Sequence, residues 1–293
     1  MPTTSTGPLI PRRLLGSAFR ELREARGETL QQAANACLFS PSKLSRIENG
    51  LAGEPHPRDV RDLTAHFEVG PERTLELEQL ADAGRVPAWW QVPPYDMPSR
   101  VDTYISYESS ATHIAVYAPN VVPGLLQTRD YAFEVLTRLA PWLDEQAVSD
   151  QVDIRMRRQE EHQRRAPRPR TLFAVSEAVL RRGAGSPAVM RSQLQALIEA
   201  GDDPLVELHV LPFSAGLHHA AELSTTTVFA FDNADDLDVV AIERDKSVQF
   251  LEKTDKVRHY RDVIARLADF WLDPAESRGF VDDVRIKIWQ ENA

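Results

Sequence analysis

The stretch that decides the fold of the N-terminal part is Thr29-Leu-Gln-Gln-Ala-Ala-Asn-Ala-Cys-Leu-Phe-Ser-Pro-Ser-Lys-Leu-Ser-Arg-Ile-Glu-Asn-Gly50. Thr29 is a helix N-cap residue followed by helix-forming residues, and Ser40-Pro41 starts a second helix with proline at the first helical position. Asn49-Gly50 then ends this second helix. The sequence therefore predicts two short helices joined by a tight turn.

The residues around this pair of helices predict a small helical domain. Apolar residues recur at helical spacing after Leu14, Pro57 starts a fourth helix, and a fifth helix ends near Arg85. An all-α domain of five helices over residues 14–85 follows from this pattern.

Both flanks of this domain are predicted to be irregular. Residues 1–13 combine prolines with Ser and Thr, which is typical of a flexible arm. Prolines and the pair Trp89-Trp90 interrupt the helical pattern over residues 86–100, which predicts a linker. The two tryptophans are expected to pack this linker against the second domain.

Residues 101–293 predict a larger domain of the mixed α/β (α+β) class, because short apolar runs now occur between helical patterns. A helix is predicted over residues 106–118. Strands are predicted over residues 171–175, 206–212, 226–231 and 238–243. Further helices are predicted to start at Thr128 and to cover residues 144–165, 187–200, 254–272 and 280–290.

Charge is divided unevenly between the two domains. The net charge is −10, but residues 1–50 hold seven Lys or Arg and four Glu, whereas residues 89–293 hold 23 Lys or Arg and 32 Asp or Glu. Phosphate groups attract the basic part and repel the acidic part. The charge therefore directs a nucleic acid to the N-terminal domain.

The composition also points to a compartment. No apolar run approaches the roughly 18 residues of a membrane span, and residues 1–13 lack the apolar core of a signal peptide. We therefore expect a cytoplasmic protein without a membrane partner. Cys37 is the single cysteine, which excludes an internal disulfide and a cysteine-based zinc site.

Two short helices joined by a tight turn are the arrangement that places the second helix in the major groove of DNA. The outward side chains of this second helix are expected to be those of Pro41, Ser42, Lys43, Ser45 and Arg46. Ser42, Ser45 and Arg46 are candidate base readers, and Arg46 is able to donate two parallel hydrogen bonds to a guanine. Lys43 is expected to bind phosphate, and Glu48 to pair with an arginine.

The motif Ser45-Arg-Ile-Glu-Asn-Gly50, with Thr29, Ala34 and Ser40 at the matching spacing, resembles the XRE family of Cro-like repressors. The resemblance covers residues 14–85 and implies a DNA-binding transcriptional regulator. The full set of candidate DNA contacts is Thr29, Gln31, Ser40, Pro41, Ser42, Lys43, Ser45, Arg46 and Asn49.

Two positions depart from the family's pattern. Pro41 stands where the family often has a polar base-reading residue, and Leu30 stands where it often has a glutamine that contacts phosphate. The operator sequence therefore does not follow from the resemblance.

The second domain has its own set of motif pieces. They are Val122-Pro-Gly-Leu-Leu-Gln-Thr128 with Tyr131-Ala132, Arg155-Met-Arg-Arg-Gln159, Glu177-Ala-Val-Leu-Arg181, Gln193-Leu194, Val210-Leu-Pro212 and Ala215-Gly216. With these pieces the domain resembles that of the WhiJ-type regulators of actinobacteria, which has no assigned activity. The resemblance implies a developmental or metabolic repressor that works with a small protein partner.

The candidate residues of the second domain for binding a ligand or a partner protein are Gln127, Arg155, Arg158, His218 and His219. For residues 122–128 a purely structural turn and helix cap is the alternative. For the basic run after Arg155, a solvated helix face, an acidic partner and a second DNA contact stay open.

No recognised catalytic or metal-binding spacing is present in the sequence. His218-His219 with Glu222 lacks such a spacing, and His-Glu-x-x-His, Gly-x-Ser-x-Gly and a phosphate-binding glycine loop are absent. We therefore expect no cofactor, no metal and no enzymatic activity.

The sequence thus predicts a homodimeric repressor that reads an inverted repeat in double-stranded DNA at the nucleoid. Control by a small protein partner and control by a small-molecule effector both remain open, and an enzyme with an appended DNA-binding module is a third alternative. A ligand sensor would contain a mostly apolar pocket, whereas a partner binder would expose an apolar or charged patch.

Overall fold

A computed structural model describes residues 7–91, 99–232, 238–244 and 247–289. The chain divides into two units, Met1–Ser110 and Ala111–Ala293. This division lies later than the predicted linker over residues 86–100. The parts of the predicted arm, linker and second domain that lie outside the described residues are 1–6, 92–98, 233–237, 245–246 and 290–293.

The five predicted helices of the N-terminal unit are present. They are α1 (Leu9–Ala25), α2 (Leu30–Ala36), α3 (Pro41–Glu48), α4 (Pro57–His66) and α5 (Pro71–Ala83). Thr29 and Ser40 are the N-caps of α2 and α3, as predicted. Buried apolar residues from all five helices form one core, which includes Leu15, Phe19, Ala33, Leu44, Leu63 and Leu77.

The first helix corrects the prediction of a flexible arm. α1 begins at Leu9 and not at Leu14, so residues 9–13 are helical. Pro11 is compatible with this start because it lies in the first turn, where backbone N–H groups have no acceptor within the helix. The Nε of Arg12 donates to the carbonyl oxygen of Gly84 at 2.7 Å, which fastens the start of α1 to the end of α5.

A sixth helix, α6 (Ser99–Ser110), belongs to the N-terminal unit and contacts α1. Trp90 is buried against Ile105 of this helix, and its Nε1 donates to Oδ1 of Asp102 at 2.6 Å. The tryptophan pair therefore packs on a helix that the sequence predicts as the start of the second domain, but the structure places this helix in the N-terminal unit.

The C-terminal unit is built on one mixed sheet. Its strands are β1 (His113–Ala118), β2 (Arg170–Ser176), β3 (Val206–Leu211), β4 (Thr226–Ala230), β5 (Val239–Arg244) and β6 (Ser247–Leu251). Their spatial order is β3-β2-β1-β4-β5-β6, with parallel pairs from β1 to β3 and antiparallel pairs elsewhere. This confirms the predicted α+β class and the four predicted strands, which are β2 to β5.

Two strands were not predicted. The predicted helix over residues 106–118 is correct up to Ser110, but β1 follows after Ala111 and Thr112 and lies inside the sheet. Only Ala111 and Thr112 separate the end of the helix from the start of β1, so the sequence pattern predicts one continuous helix across both elements. β6, which follows β5 in the chain, was not predicted.

The described residues of the C-terminal unit also form six α-helices. They are α7 (Arg129–Leu139), α8 (Glu145–Arg164), α9 (Glu177–Arg181), α10 (Pro187–Ala200), α11 (Thr254–Ala265) and α12 (Pro274–Lys287). α11 buries Val257 and Ile264 against one face of the sheet, and α10 and α12 pack on each other and contact β3. Among the described residues, no helix combines the length and apolar character of a membrane span.

Gly16 is the position at which a side chain on α1 would collide with α3. A Cβ atom there would stand 2.4 Å from the carbonyl oxygen of Ile47 and 2.7 Å from that of Glu48. We expect Gly16→Ala to push the two helices apart and to lower the free energy of unfolding by about 1–3 kcal/mol. Calorimetric unfolding of the full chain measures this change. Gly279→Ala, on the exposed surface of α12, is the control, because that position has open space, and an equal loss in both variants would contradict the assignment.

Cys37 provides a pH-dependent test of the core. Desolvation by burial raises the pKa of its thiol to about 11. The thiol of the unfolded chain ionises at lower pH, so the free energy of unfolding should fall as the pH rises from about 9 toward 11. Iodoacetamide at pH 8 should also modify the folded protein far more slowly than the urea-unfolded chain. Cys37→Ala should remove this component of the pH dependence, and rapid alkylation of the folded protein would show that the thiol is accessible.

Candidate nucleic-acid interface and regulatory unit

α3 is a short helix with one buried and one exposed face. Leu44 is fully buried and Ile47 packs on the core, as predicted. The exposed or half-buried side chains on the opposite face are those of Pro41, Ser42, Lys43, Ser45 and Arg46. These are the five side chains that the sequence predicts to face outward.

Three of the other candidate contacts lie near helix N-termini. The hydroxyl of Thr29 accepts from the backbone N–H of Gln32 at 3.3 Å, and that of Ser40 accepts from the N–H of Lys43 at 3.1 Å. Gln31 is exposed, and its Nε2 donates to Oδ1 of Asn35 at 2.8 Å. The hydroxyls of Thr29 and Ser40 are thus already used as helix caps.

Lys43 is held by neighbouring side chains of the protein itself. Its Nζ lies 2.7 Å from Oδ1 of Asp59 on α4, and 4.0 Å from the centroid of the Phe39 ring. A DNA phosphate that binds Lys43 would therefore have to replace Asp59 as its anionic partner.

Arg46 is bound to the loop that follows α3. Its Nε and Nη2 donate to the carbonyl oxygen of Leu51 at 3.3 and 3.1 Å, while the backbone N–H of Leu51 donates to the carbonyl oxygen of Arg46 at 2.8 Å. The guanidinium would have to leave this carbonyl before it could donate two hydrogen bonds to a base.

Glu48 fastens the end of α3 to α1. Its carboxylate is buried and accepts from Nε and Nη2 of Arg23 at 2.7 and 2.9 Å. This hydrogen bonding raises the pKa of the Arg23 guanidinium. Arg20 lies beside the pair, with its Nε 3.8 Å from Oε2 of Glu48. The prediction that Glu48 pairs with an arginine is confirmed.

Asn49 takes part in the same attachment. Its Oδ1 accepts from Nη2 of Arg20 at 2.7 Å, and its Nδ2 donates to the carbonyl oxygen of Ser45 at 2.6 Å. Gly50 follows with a φ of +68°, a conformation that glycine adopts without strain. The motif Ser45-Arg-Ile-Glu-Asn-Gly50 therefore forms the C-terminal attachment of α3. Sequence reasoning missed Arg20 and Arg23, because their partners are distant in sequence.

In the C-terminal unit, residues 122–128 are held by amide side chains from two helices. Gln159 of α8 donates from Nε2 to the carbonyl oxygens of Gly124 and Gln127 at 2.7 and 2.8 Å. Gln193 of α10 is fully buried; its Oε1 accepts from the N–H of Thr128 at 2.8 Å, and its Nε2 donates to the carbonyl oxygen of Leu126 at 2.7 Å. Three of the motif pieces thus meet in one hydrogen-bond network.

Two of the predicted ligand-binding residues belong to this network. Gln127 is buried; its Nε2 donates to the carbonyl oxygen of Val122 at 2.7 Å, and its Oε1 accepts from Nη1 of Arg155. Arg158 also lies beside Gly124. These contacts favour the structural alternative for residues 122–128.

The two histidines lie at a different place. The ring of His218 is 6.0 Å from that of Tyr117 and 5.9 Å from that of Phe270, and the ring of His219 is 5.4 Å from Phe270. Burial, and then the neighbouring His219, lower the pKa of His218. The part of the chain that the structure describes holds no group of three metal-ligating side chains.

The basic run after Arg155 is not one solvated face. Arg165 donates to the carbonyl oxygen of Ala111, and Arg168 pairs with Asp203. The bond to Arg168 lowers the pKa of the Asp203 carboxyl, and burial lowers the pKa of the Arg165 guanidinium. Several of these arginines therefore serve the packing of the C-terminal unit.

Sequence reasoning also missed a groove of about 560 Å³ on the sheet, at the beginning of β1 and β2. Its apolar lining includes Ala115, Leu172, Val228, Ile264 and Trp271. Arg170 and Arg261 line it as well, and Nη1 of Arg261 lies 2.6 Å from Oδ2 of the buried Asp238. Pockets for small molecules have volumes of roughly 300–1,000 Å³ and this mostly apolar character. None of the five candidates in this unit is among the described residues that line the groove.

Comparison with known proteins assigns both parts of the chain. Residues 14–77 match the family described as a helix-turn-helix domain, and residues 101–283 match the family described as a domain of unknown function, DUF5753. A protein of Bacillus subtilis (strain 168), described as the uncharacterized HTH-type transcriptional regulator RghRB, is 31% identical over 104 residues, which are 36% of this chain and 71% of that protein. No solved structure matches the chain significantly. The chain therefore belongs to the DUF5753 family and carries at its N-terminus an XRE-like helix-turn-helix domain of the kind found in transcriptional regulators.

Proposed function

We propose that the protein is a transcriptional repressor that binds operator DNA as a homodimer through α3 and receives its regulatory signal in the C-terminal unit. The observation that carries the DNA-binding part is the polar, exposed face of α3 on a helix whose far end is fastened to α1 by Glu48. A helix fixed in this way presents the same side chains to every operator.

Within this proposal the side chains have different tasks. Ser42 is exposed near the start of α3 and reads base edges together with Ser45 and Arg46. Lys43 binds phosphate after it has exchanged Asp59 for DNA. Gln31 of α2 contacts the DNA backbone next to α3.

A homodimer follows from the size of the reading surface. One helix of eight residues contacts only a few base pairs, so specific binding needs a second half-site about 34 Å away, one helical turn of DNA. Two-fold symmetry of the protein then corresponds to an inverted repeat in the operator.

The groove on the sheet favours a small-molecule effector as the regulatory signal. It has the volume of a ligand pocket and a largely apolar lining, and its charged groups are of both signs, with Arg170 and Arg261 beside Glu207, Asp232 and Asp238. Control by a small protein partner, which the resemblance to WhiJ-type regulators implies, is the alternative. Co-purification from the native host followed by native mass spectrometry distinguishes a bound metabolite from a bound polypeptide.

Selection of binding sites from random-sequence DNA tests the proposed DNA recognition. We expect the full chain to enrich an inverted repeat and to protect two half-sites in footprinting. Arg46→Ala should relax the preference at one base pair of each half-site and cost about 1–3 kcal/mol on the selected site. Protection of one unrepeated half-site would contradict the homodimer, and an equal loss of affinity for selected and scrambled DNA would show that Arg46 does not read a base.

The ion pair between Lys43 and Asp59 predicts a competition between the protein and DNA. Because Asp59 holds Lys43 at 2.7 Å in the free protein, Asp59→Asn should raise the affinity for all DNA sequences about two- to five-fold, as expected for an exposed ion pair. Lys43→Ala should weaken all sequences similarly and lower the salt dependence by about one released counterion per contact. Fluorescence anisotropy over a salt series measures both effects.

A double variant separates this competition from a general charge effect. Asp62→Asn removes the same charge from α4 without releasing Lys43, so it should change the affinity less than Asp59→Asn does. In a Lys43→Ala background the gain from Asp59→Asn should disappear. A gain of the same size in that background would show that Asp59 acts only by repelling DNA.

A further inference from the structure

A cavity of about 220 Å³ lies in the N-terminal unit, between α1, α3, α4 and the loop that joins α3 to α4. Its apolar lining comes from the core of the unit and includes Leu15, Phe19, Ile47, Val60 and Leu63. An apolar cavity of about 150 Å³ is large enough for one benzene molecule. This cavity therefore has room for a molecule of one ring with a short substituent.

Arg12 brings to this cavity a cation whose hydrogen-bonding capacity is only partly used. Its Nε donates to the carbonyl oxygen of Gly84, but no described residue accepts a hydrogen bond from its Nη1 or Nη2. Burial lowers the pKa of this guanidinium, although the nearby carboxylates of Glu54 and Asp102 act in the opposite direction. Removing a cation from water is costly unless an anion binds it. Arg12 thus offers unused N–H donors and a positive charge to a carboxylate.

The acidic residues of the lining do not satisfy Arg12. Asp59 is already paired with Nζ of Lys43 at 2.7 Å. Glu54 is exposed, and it forms neither a hydrogen bond nor an ion pair with any residue that the structure describes. An exposed carboxylate attracts a nearby arginine only weakly. The guanidinium of Arg12 is therefore available to an anion that enters the cavity.

The cavity is also built from the two cations that the proposed function assigns to DNA. Lys43 and Arg46 line it in the positions in which they are bound to Asp59 and to the carbonyl oxygen of Leu51. Binding to DNA would take both side chains away from these partners and would remove one wall of the cavity. A ligand that prefers one of two states shifts the equilibrium toward that state. A molecule in the cavity would therefore favour the DNA-free positions of Lys43 and Arg46.

We propose that this cavity binds a small carboxylate with an apolar body of about one ring, that Arg12 pairs with the carboxylate, and that the bound molecule weakens DNA binding. The effect on DNA rests on the proposed function, whereas the binding of the carboxylate does not. The cavity shares no lining residue with the groove on the sheet. It would thus receive a second signal, directly at the reading helix.

Titration of the full chain with para-fluorobenzoate, followed by fluorine NMR, tests the site. We expect a dissociation constant of about 1 mM or below, and binding of para-fluorobenzyl alcohol that is about ten-fold weaker because the alcohol lacks the charge. Arg12→Gln should weaken the carboxylate about ten-fold and change the alcohol little. Arg61→Gln removes an exposed arginine of α4 outside the cavity, so this matched control should bind the carboxylate normally.

A second variant fills the cavity and leaves the bond between Arg12 and Gly84 in place. Ala52 is half-buried in the lining, so Ala52→Phe should abolish the binding of both probes. Ala65→Phe, on the exposed surface of α4, is the control and should bind both normally. Melting followed by circular dichroism shows whether each variant is folded. Undiminished binding by folded Ala52→Phe, or equal binding of the carboxylate and the alcohol, would overturn the site.

Fluorescence anisotropy on the selected operator tests the effect on DNA. Saturating para-fluorobenzoate should lower the affinity at least about five-fold, whereas the same concentration of sodium acetate, which matches the ionic strength, should change it little. Ala52→Phe should not respond to para-fluorobenzoate. An unchanged affinity of the unmodified protein would overturn the coupling to DNA. A protein that binds the carboxylate through Arg12 but prefers no DNA sequence would contradict the proposed function while supporting the site.

Discussion

The buried ion pair between Glu48 and Arg23 is the interaction on which the N-terminal unit depends. A carboxylate removed from water loses a large solvation energy, which only a well-placed cation and hydrogen bonds offset. Arg23 on α1 supplies the cation, and it donates two hydrogen bonds to the carboxylate. The orientation of α3 is therefore tied to α1, and the lack of a side chain at Gly16 allows the two helices to approach.

α1 connects this attachment to the rest of the unit. At its start, Arg12 is bonded to the end of α5, and Nη1 of Arg13 donates to the hydroxyl of Tyr107 on α6 at 3.1 Å. α6 is in turn held by Trp90. α1, which is bonded to α3, thus also contacts α6. Ala111 and Thr112 connect α6 to β1.

The motif pieces of the C-terminal unit have a structural explanation. Gln159, Gln193 and Arg155 converge on residues 122–128 and satisfy backbone carbonyl groups and the side chain of Gln127. Buried polar groups need such partners, so these residues are required for the fold whatever the unit binds. The groove at the beginning of β1 and β2 uses none of these residues. The motif pieces that meet in this network therefore identify the architecture of the unit.

The sequence by itself determined most local elements of this protein, with β1 and β6 as exceptions. Thr29 and Ser40 predicted the starts of α2 and α3, because a helix cap bonds to neighbouring backbone groups. Short apolar runs predicted β2 to β5. The sequence also predicted that Glu48 pairs with an arginine, because DNA would repel its negative charge. The tertiary structure alone decided that Arg23 is this arginine, that Lys43 and Arg46 are engaged within the protein, and that α6 belongs to the N-terminal unit. These contacts join residues that are distant along the chain, and local propensity contains no information about which distant surfaces will meet.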